Sequence, residues 1–278
     1  MTITLPGPAI LFAPAGRVDI IPKAARIADM VILDLEDGAG DIDRDLAYEN
    51  IRACGLDPAS TIVRTIGPDS QFFEQDVAFV KTTPYSTVIV PKIGSNIPAV
   101  LEGLDVIAMI ETPQAVVNLP AIAAHPSIVG LLWGAEDLTV QLGGTHSRRG
   151  PDEVYPHTYR DTMRLTRAMM HMQAAAHGKI SIDAVYGDFT DDEGLRAEAT
   201  DAARSGFAAS ACIHPRQVEV IRKAYAPEPS HYQWAEKVVA KAANYPGAFQ
   251  LDGEMIDAPL IQQAHRIIAR HKYAKDQE

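Results

Sequence analysis

Apolar runs of four to six residues recur along the chain, each closed by a charged or turn-forming residue. Most are followed by a stretch with helical character. Strands are expected at residues 9–13, 30–35, 61–65, 87–90, 105–110, 128–133, 179–183 and 208–213. Short runs of this kind, rich in Val, Ile and Leu and bounded by turn signals, read as buried strands. Helices are expected at residues 20–28, 43–54, 70–81, 96–104, 113–124, 155–177 and 191–205. Asp43 is placed to cap the second of these, and Thr112 followed by Pro113 to start the fifth.

Eight strands alternating with helices form the pattern of a parallel sheet closed into a TIM (β/α)₈ barrel. An open doubly wound sheet is the alternative, although no Gly-rich dinucleotide fingerprint follows the first strand. The 278 residues suit the barrel, which commonly takes ~250 residues. The character of the chain changes after Tyr225. Residues 230–244 read as a helix, 245–253 as a loop with a short extended piece, and residues from 256 onward as a last helix. The expected organisation is a barrel over residues 1–225 and a C-terminal helical extension over 226–278. That extension covers the barrel mouth or reaches a neighbouring subunit.

Charge narrows the partners. A net charge of −11 argues against nucleic acid, so an anionic ligand needs a local cationic cluster or a metal. The two cysteines, Cys54 and Cys212, lack metal-type spacing and read as small buried apolar residues. They predict a reduced, cytoplasmic protein without disulfides. The first residues carry neither a basic segment nor a long apolar run, which predicts no signal peptide and no membrane span.

Functional residues of such a barrel collect at the C-terminal ends of the strands. Here those ends carry Arg17, Glu36, Asp37, Arg64, Lys92, Glu111, Asp137, Asp183 and His214. The densest stretch is residues 30–38, where Glu36 and Asp37 follow Asp34 closely and precede Gly38. Carboxylates crowded at a buried strand end are costly without a cation nearby. Glu111 and Asp137 end consecutive strands and can face one cation. Two carboxylates with waters and a substrate oxygen suit Mg²⁺, and the lack of a Cys or His cluster disfavours zinc. Glu36 and Asp37 would then hold metal-bound waters. Equally, these acids cap helices or pair with rim Arg and Lys. Arg64 either grips a substrate carboxylate or pairs with Glu36 or Asp37. Arg17 and Lys23 either take phosphates or form a solvated basic face. His214 reads as a hydrogen-bonded structural residue, and Trp133, Met163, Met169, Met170 and Met172 as core.

In order along the chain stand LFAPAGR, KAARIADMVILDLEDG, VIVPKI, AMIETPQA, GAEDLTVQLGG, GLRAEATDAARSGFAASACIHPRQ and DGEMIDAP. Together they resemble the HpcH/HpaI aldolase and citrate lyase β-subunit superfamily, most closely its stand-alone citrate-lyase-β-like (CitE-like) members. The resemblance implies a TIM barrel, usually a homotrimer, that uses Mg²⁺ and an acyl-CoA or acyl-carrier-protein thioester. It implies Glu111 and Asp137 as metal ligands and Arg64 as the residue holding the keto-acid carboxylate. Glu36 and Asp37 match the acids that stand behind the metal. Asp257 matches an aspartate brought over the active site from a neighbouring subunit, and Arg17 and Lys23 match phosphate contacts more loosely. Ala209-Ser210 stand where many members have Gly-Lys, and Gln141 where many have an aspartate.

The activity expected on these grounds is Mg²⁺-dependent cleavage of a short 3-hydroxyacyl-CoA thioester into an acyl-CoA and a keto acid. Citramalyl, malyl, 3-hydroxy-3-methylglutaryl and citryl groups all fit. Two other readings are a β subunit of a citrate lyase complex acting on citryl-acyl-carrier-protein, and a CoA-independent keto-acid aldolase.

Overall fold

The computed structural model describes residues 5–37, 43–245 and 247–275, with side chains as far as His271. Gly38, expected to close the second strand's acidic stretch, lies outside the described residues. Eight strands close into a barrel in sequence order. They are β1 Ala9–Pro14, β2 Met30–Asp34, β3 Thr61–Arg64, β4 Thr87–Val90, β5 Asp105–Ile110, β6 Ile128–Trp133, β7 Ile180–Asp183 and β8 Ala209–Cys212. All pair in parallel, and β8 returns to β1 through Ile10 opposite Ala211. The interior is filled by alternate residues of the strands, including Ile10, Ile32, Ile62, Ile89, Ile107, Leu132, Ile182 and Ala211. It is a packed core rather than a pore, so ligands meet the barrel at its rim.

The surrounding helices are α1 Ile21–Ile27, α2 Arg44–Ala53, α3 Phe73–Val80, α4 Pro113–Val117, α5 Leu119–Ala124, α6 Ala135–Gln141, α7 Asp161–Ala176, α8 Asp192–Ser205 and α9 Pro215–Tyr225. Two of the anticipated starts have the expected caps. The Asp43 carboxylate accepts from the amides of Asp45 and Leu46, and the Thr112 hydroxyl from that of Ala115.

The helices also depart from expectation in five places. Residues 96–104 form only a 3₁₀ turn at Ala99–Leu101, bracketed by Pro98 and by Gly103 at φ 87°. Residues 113–124 break at Asn118 into α4 and α5, because Pro120 has no N–H to give the residue four before it. The long helix begins at Asp161 rather than near Tyr155, since Tyr155 and His157 have φ of 59° and 63°. Two helices, α6 directly after β6 and α9 after β8, were not anticipated at all. On α7, Met163 and Met170 are buried as expected, whereas Met172 is exposed.

The chain divides into two compact units, Met1–Ile221 and Arg222–Glu278. In the second, α10 Pro229–Ala242 and α11 Ala258–Lys275 flank a hairpin of β9 Phe249–Leu251 and β10 Glu254–Ile256. Asp252 and Gly253 make its turn with φ of 49° and 93°, the backbone twist that two-residue hairpins favour. Ala235, Val238, Phe249, Ile256 and Ala264 form this unit's own apolar core. Among the described residues, no helix is long and apolar enough to cross a membrane.

Candidate active site

The ends of β2 to β6 converge on a cluster of acids. Asp34 and Arg64 are register partners across β2 and β3, so their side chains leave the sheet on the same rung and the same side. Arg64 donates from Nε and Nη2 to the two oxygens of Asp34, both at 2.7 Å. Its Nη1 lies 3.0 Å from Glu36 Oε2. Such a fork of parallel bonds orients both groups. The fork engages two of the five guanidinium donors, and the Nη1 contact to Glu36 is an ion pair. Of the two readings for Arg64, the ion pair is present, but its main partner is Asp34 and not Asp37.

Beyond β4, Lys92 lies in the left-handed region at φ 51°. That turn aims its backbone N–H at Glu111 Oε1, 2.7 Å away. Its ammonium lies 2.8 Å from Glu36, 3.7 Å from Asp37 and 3.8 Å from Asp137. Glu111 follows the last residue of β5 directly. Ile110 pairs with Trp133, which sets Glu111 beside Gly134. A Cβ at Gly134 would stand 2.6 Å from Glu111 Oε2, so only glycine leaves the carboxylate its place. Asp137 sits half-exposed in the first turn of α6, where a helix N-terminus favours negative charge.

Glu111 is buried, and burial with the charges of Asp137 and Glu36 pushes its carboxyl up to about 8. Glu36 is also raised, chiefly by burial, against the opposing pull of Arg64 and Lys92. The acids therefore repel one another and call for further positive charge. Among the described residues, no group of three or more His, Cys, Asp or Glu side chains is arranged to cage a metal ion. Glu111 and Asp137 form a pair, and a pair of oxygen ligands fits a hard ion that keeps most of its waters.

The other candidates are placed differently. Arg17 and Lys23 are both exposed and both face Asp19, at 3.0 and 3.5 Å. His214 stacks on Phe189 and accepts at Nδ1 from the amide of Arg216, a structural role as expected. Asp183 is used structurally: it accepts from Trp133 Nε1 at 2.7 Å and from Arg167. Asp257 belongs to the second unit, where its carboxylate accepts from the amide of Leu260 at the start of α11. Cys54 is half-buried against the Tyr85 hydroxyl, and Cys212 is buried.

Sequence reasoning gave no role to two members of the cluster. Asp34 carried a signal, a carboxylate on the last residue of a buried strand, but its partner depends on register. Lys92 was visible as a strand-end charge, but its backbone turn was not. The loop of residues 143–150 is rich in Gly and Arg. It is fastened by Arg148, which donates to Glu198 at 2.6 and 3.0 Å and lies over the rings of Tyr159 and Tyr186.

Comparison with known proteins shows similarity over nearly the whole chain. Protein CitE from Mycobacterium tuberculosis, solved in complex with magnesium, acetoacetate and coenzyme A, superposes with a TM-score of 0.87 at 40% identity, covering 96% of this chain and 98% of that one. The (3S)-malyl-CoA thioesterase of Cereibacter sphaeroides is 28% identical over 277 residues, 96% of this chain and 93% of its own. The mitochondrial citramalyl-CoA lyase of Homo sapiens is 27% identical over 300 residues, 95% of this chain and 85% of its own. Residues 9–215 match the HpcH/HpaI aldolase/citrate lyase family, and the chain belongs to that family.

Proposed function

We propose that this protein is a Mg²⁺-dependent carbon–carbon lyase that cleaves a short 3-hydroxyacyl-CoA thioester into an acyl-CoA and a keto acid. The observation that carries the reading is the buried Glu111 after β5, raised by the charge of Asp137 in the first turn of α6, next to a guanidinium locked in place by Asp34. Glu111 and Asp137 are the residues to hold the metal. Bound there, Mg²⁺ supplies a Lewis acid for the oxygen of the developing keto acid. Arg64 keeps two N–H donors for the substrate carboxylate, and Asp34 fixes their direction before substrate arrives. Glu36 and Asp37 hold water at the rim and balance Lys92.

A base takes the proton of the 3-hydroxyl as the bond from that carbon to the thioester α-carbon breaks. The electron pair of that bond is left on the thioester as an enolate. Asp257, delivered by a neighbouring subunit of a homotrimer in the cytoplasm, is the acid that protonates it, and the base for the reverse condensation. Arg17 and Lys23 are the phosphate contacts for the CoA end, which requires them to leave Asp19.

The test is mass spectrometry of purified protein with a panel of citramalyl-, malyl-, 3-hydroxy-3-methylglutaryl- and citryl-CoA, with Mg²⁺ and with chelator. Metal-dependent release of an acyl-CoA and a keto acid from one of them is expected, and Glu111→Ala or Asp137→Ala should abolish it. Undiminished turnover in both variants refutes the metal assignment. Release of free CoA with the acyl chain intact would instead indicate thioester hydrolysis.

A further inference from the structure

Five carboxylates, Asp34, Glu36, Asp37, Glu111 and Asp137, gather where, among the described residues, Arg64 and Lys92 bring positive charge within ion-pair distance. Arg64 is committed to Asp34 and Glu36. Lys92 alone reaches the acids on both sides of the cluster. Its ammonium is 2.8 Å from Glu36 on the β2 side and 3.8 Å from Asp137 on the β6 side, while its own amide holds Glu111. The side chain is about a third exposed (36%), so solvent reaches it at the rim. Glu36, by contrast, is buried and held from its other side by Arg64.

We propose that the Lys92 ammonium is a resident counter-cation that holds the acid cluster together in the metal-free protein and competes with the divalent ion for Asp137. Lys92 is thus a positioning residue that sets the metal affinity of the site. This rests on the assignment of Glu111 and Asp137 to the metal. An ammonium beside Asp137 neutralises part of the charge a divalent ion would use, and repels the ion once it is bound. On metal binding the ammonium withdraws to Glu36, its shorter contact. The amide of Lys92 stays on Glu111 throughout, so the same residue steadies one metal ligand while contesting the other.

The test compares wild type with Lys92→Met, which keeps the amide and the length of the side chain, and with Lys92→Arg, which keeps the charge. All three are non-glycine residues and share whatever the positive φ costs. In chelator, Lys92→Met is expected to melt below wild type, because Glu36 and Asp37 lose their ammonium. By titration calorimetry, it is expected to bind Mg²⁺ on the order of tenfold more tightly, the scale of one partly screened charge. Mg²⁺ should accordingly raise its melting temperature by more than that of wild type, and Lys92→Arg should restore wild-type behaviour in both measurements. A merely structural lysine would lower stability without tightening the metal. Equal or weaker Mg²⁺ binding by Lys92→Met overturns the proposal, as does unchanged stability in chelator. Glu111→Gln separates the two readings. Mg²⁺ bound by wild type and lost in Glu111→Gln, with Lys92→Met unchanged, overturns only the role of Lys92. A wild type that binds no Mg²⁺ overturns both.

Discussion

Glu111→Gln tests the electrostatics of the site with the metal removed. Glu111 is 1% exposed, and its carboxyl is pushed from the ordinary 4.5 up to about 8 by burial and by the charges of Asp137 and Glu36. A carboxyl raised in the folded state keeps its proton there while the unfolded chain has lost it. Between about pH 4.5 and 8, the folded protein therefore binds more protons, and stability falls as pH rises. At ~1.4 kcal/mol per pH unit, the full effect above pH 8 is at most about 5 kcal/mol. Glutamine keeps an oxygen for the Lys92 amide and carries no charge. In chelator, urea unfolding should show the two proteins nearly equal near about pH 5. The variant should become progressively more stable as pH rises, by several kcal/mol near about pH 9. Added Mg²⁺ should stabilise wild type and leave Glu111→Gln unchanged, since a ligand stabilises only the state that binds it. A difference that does not vary with pH would refute the account, because desolvated charge is then not what the substitution removes.

Asp34→Asn leaves Arg64 buried with its main carboxylate gone; a loss of about 3–5 kcal/mol in the unfolding free energy from urea titration is expected, and a loss below about 1 kcal/mol would show that Glu36 alone suffices. Gly134→Ala puts a methyl where Glu111 Oε2 lies 2.6 Å away. It should fold, yet bind Mg²⁺ at least tenfold more weakly by calorimetry, roughly the effect of a displaced metal contact; unchanged affinity would mean that Glu111 has room to move. Asp257→Asn should keep Mg²⁺ affinity while kcat falls by about 10²–10⁴, the usual share of a general acid, and an unchanged kcat would remove Asp257 from the chemistry.

Much of the rim was legible as a list of residues and little of it as a set of contacts. Arg64, Glu111 and Asp137 stand at strand ends because each follows an apolar run, and a run of that kind needs no partner to be seen. Asp34 belonged to such a run too, but that it faces Arg64 follows from the alignment of β2 with β3. Lys92 needed a backbone angle of 51°, which no propensity assigns to lysine. The helices failed where local rules competed: Pro120 broke one, Gly103 and Pro98 reduced another to a turn, and left-handed residues at 155 and 157 delayed a third.

Apolar periodicity is local, so the chain by itself determined eight buried strands and their alternation with helices, a pattern that suits a closed barrel. It also determined which charged residues stand at the strand ends. Register, closure and burial are collective, and they decided the rest. They matched Asp34 to Arg64, set Gly134 against Glu111 and turned the amide of Lys92 onto that carboxylate. They also took Asp183 out of the candidate chemistry by giving it to Trp133 and Arg167. A charge's work depends on which neighbours replace its water, and those neighbours are distant in sequence until the barrel closes.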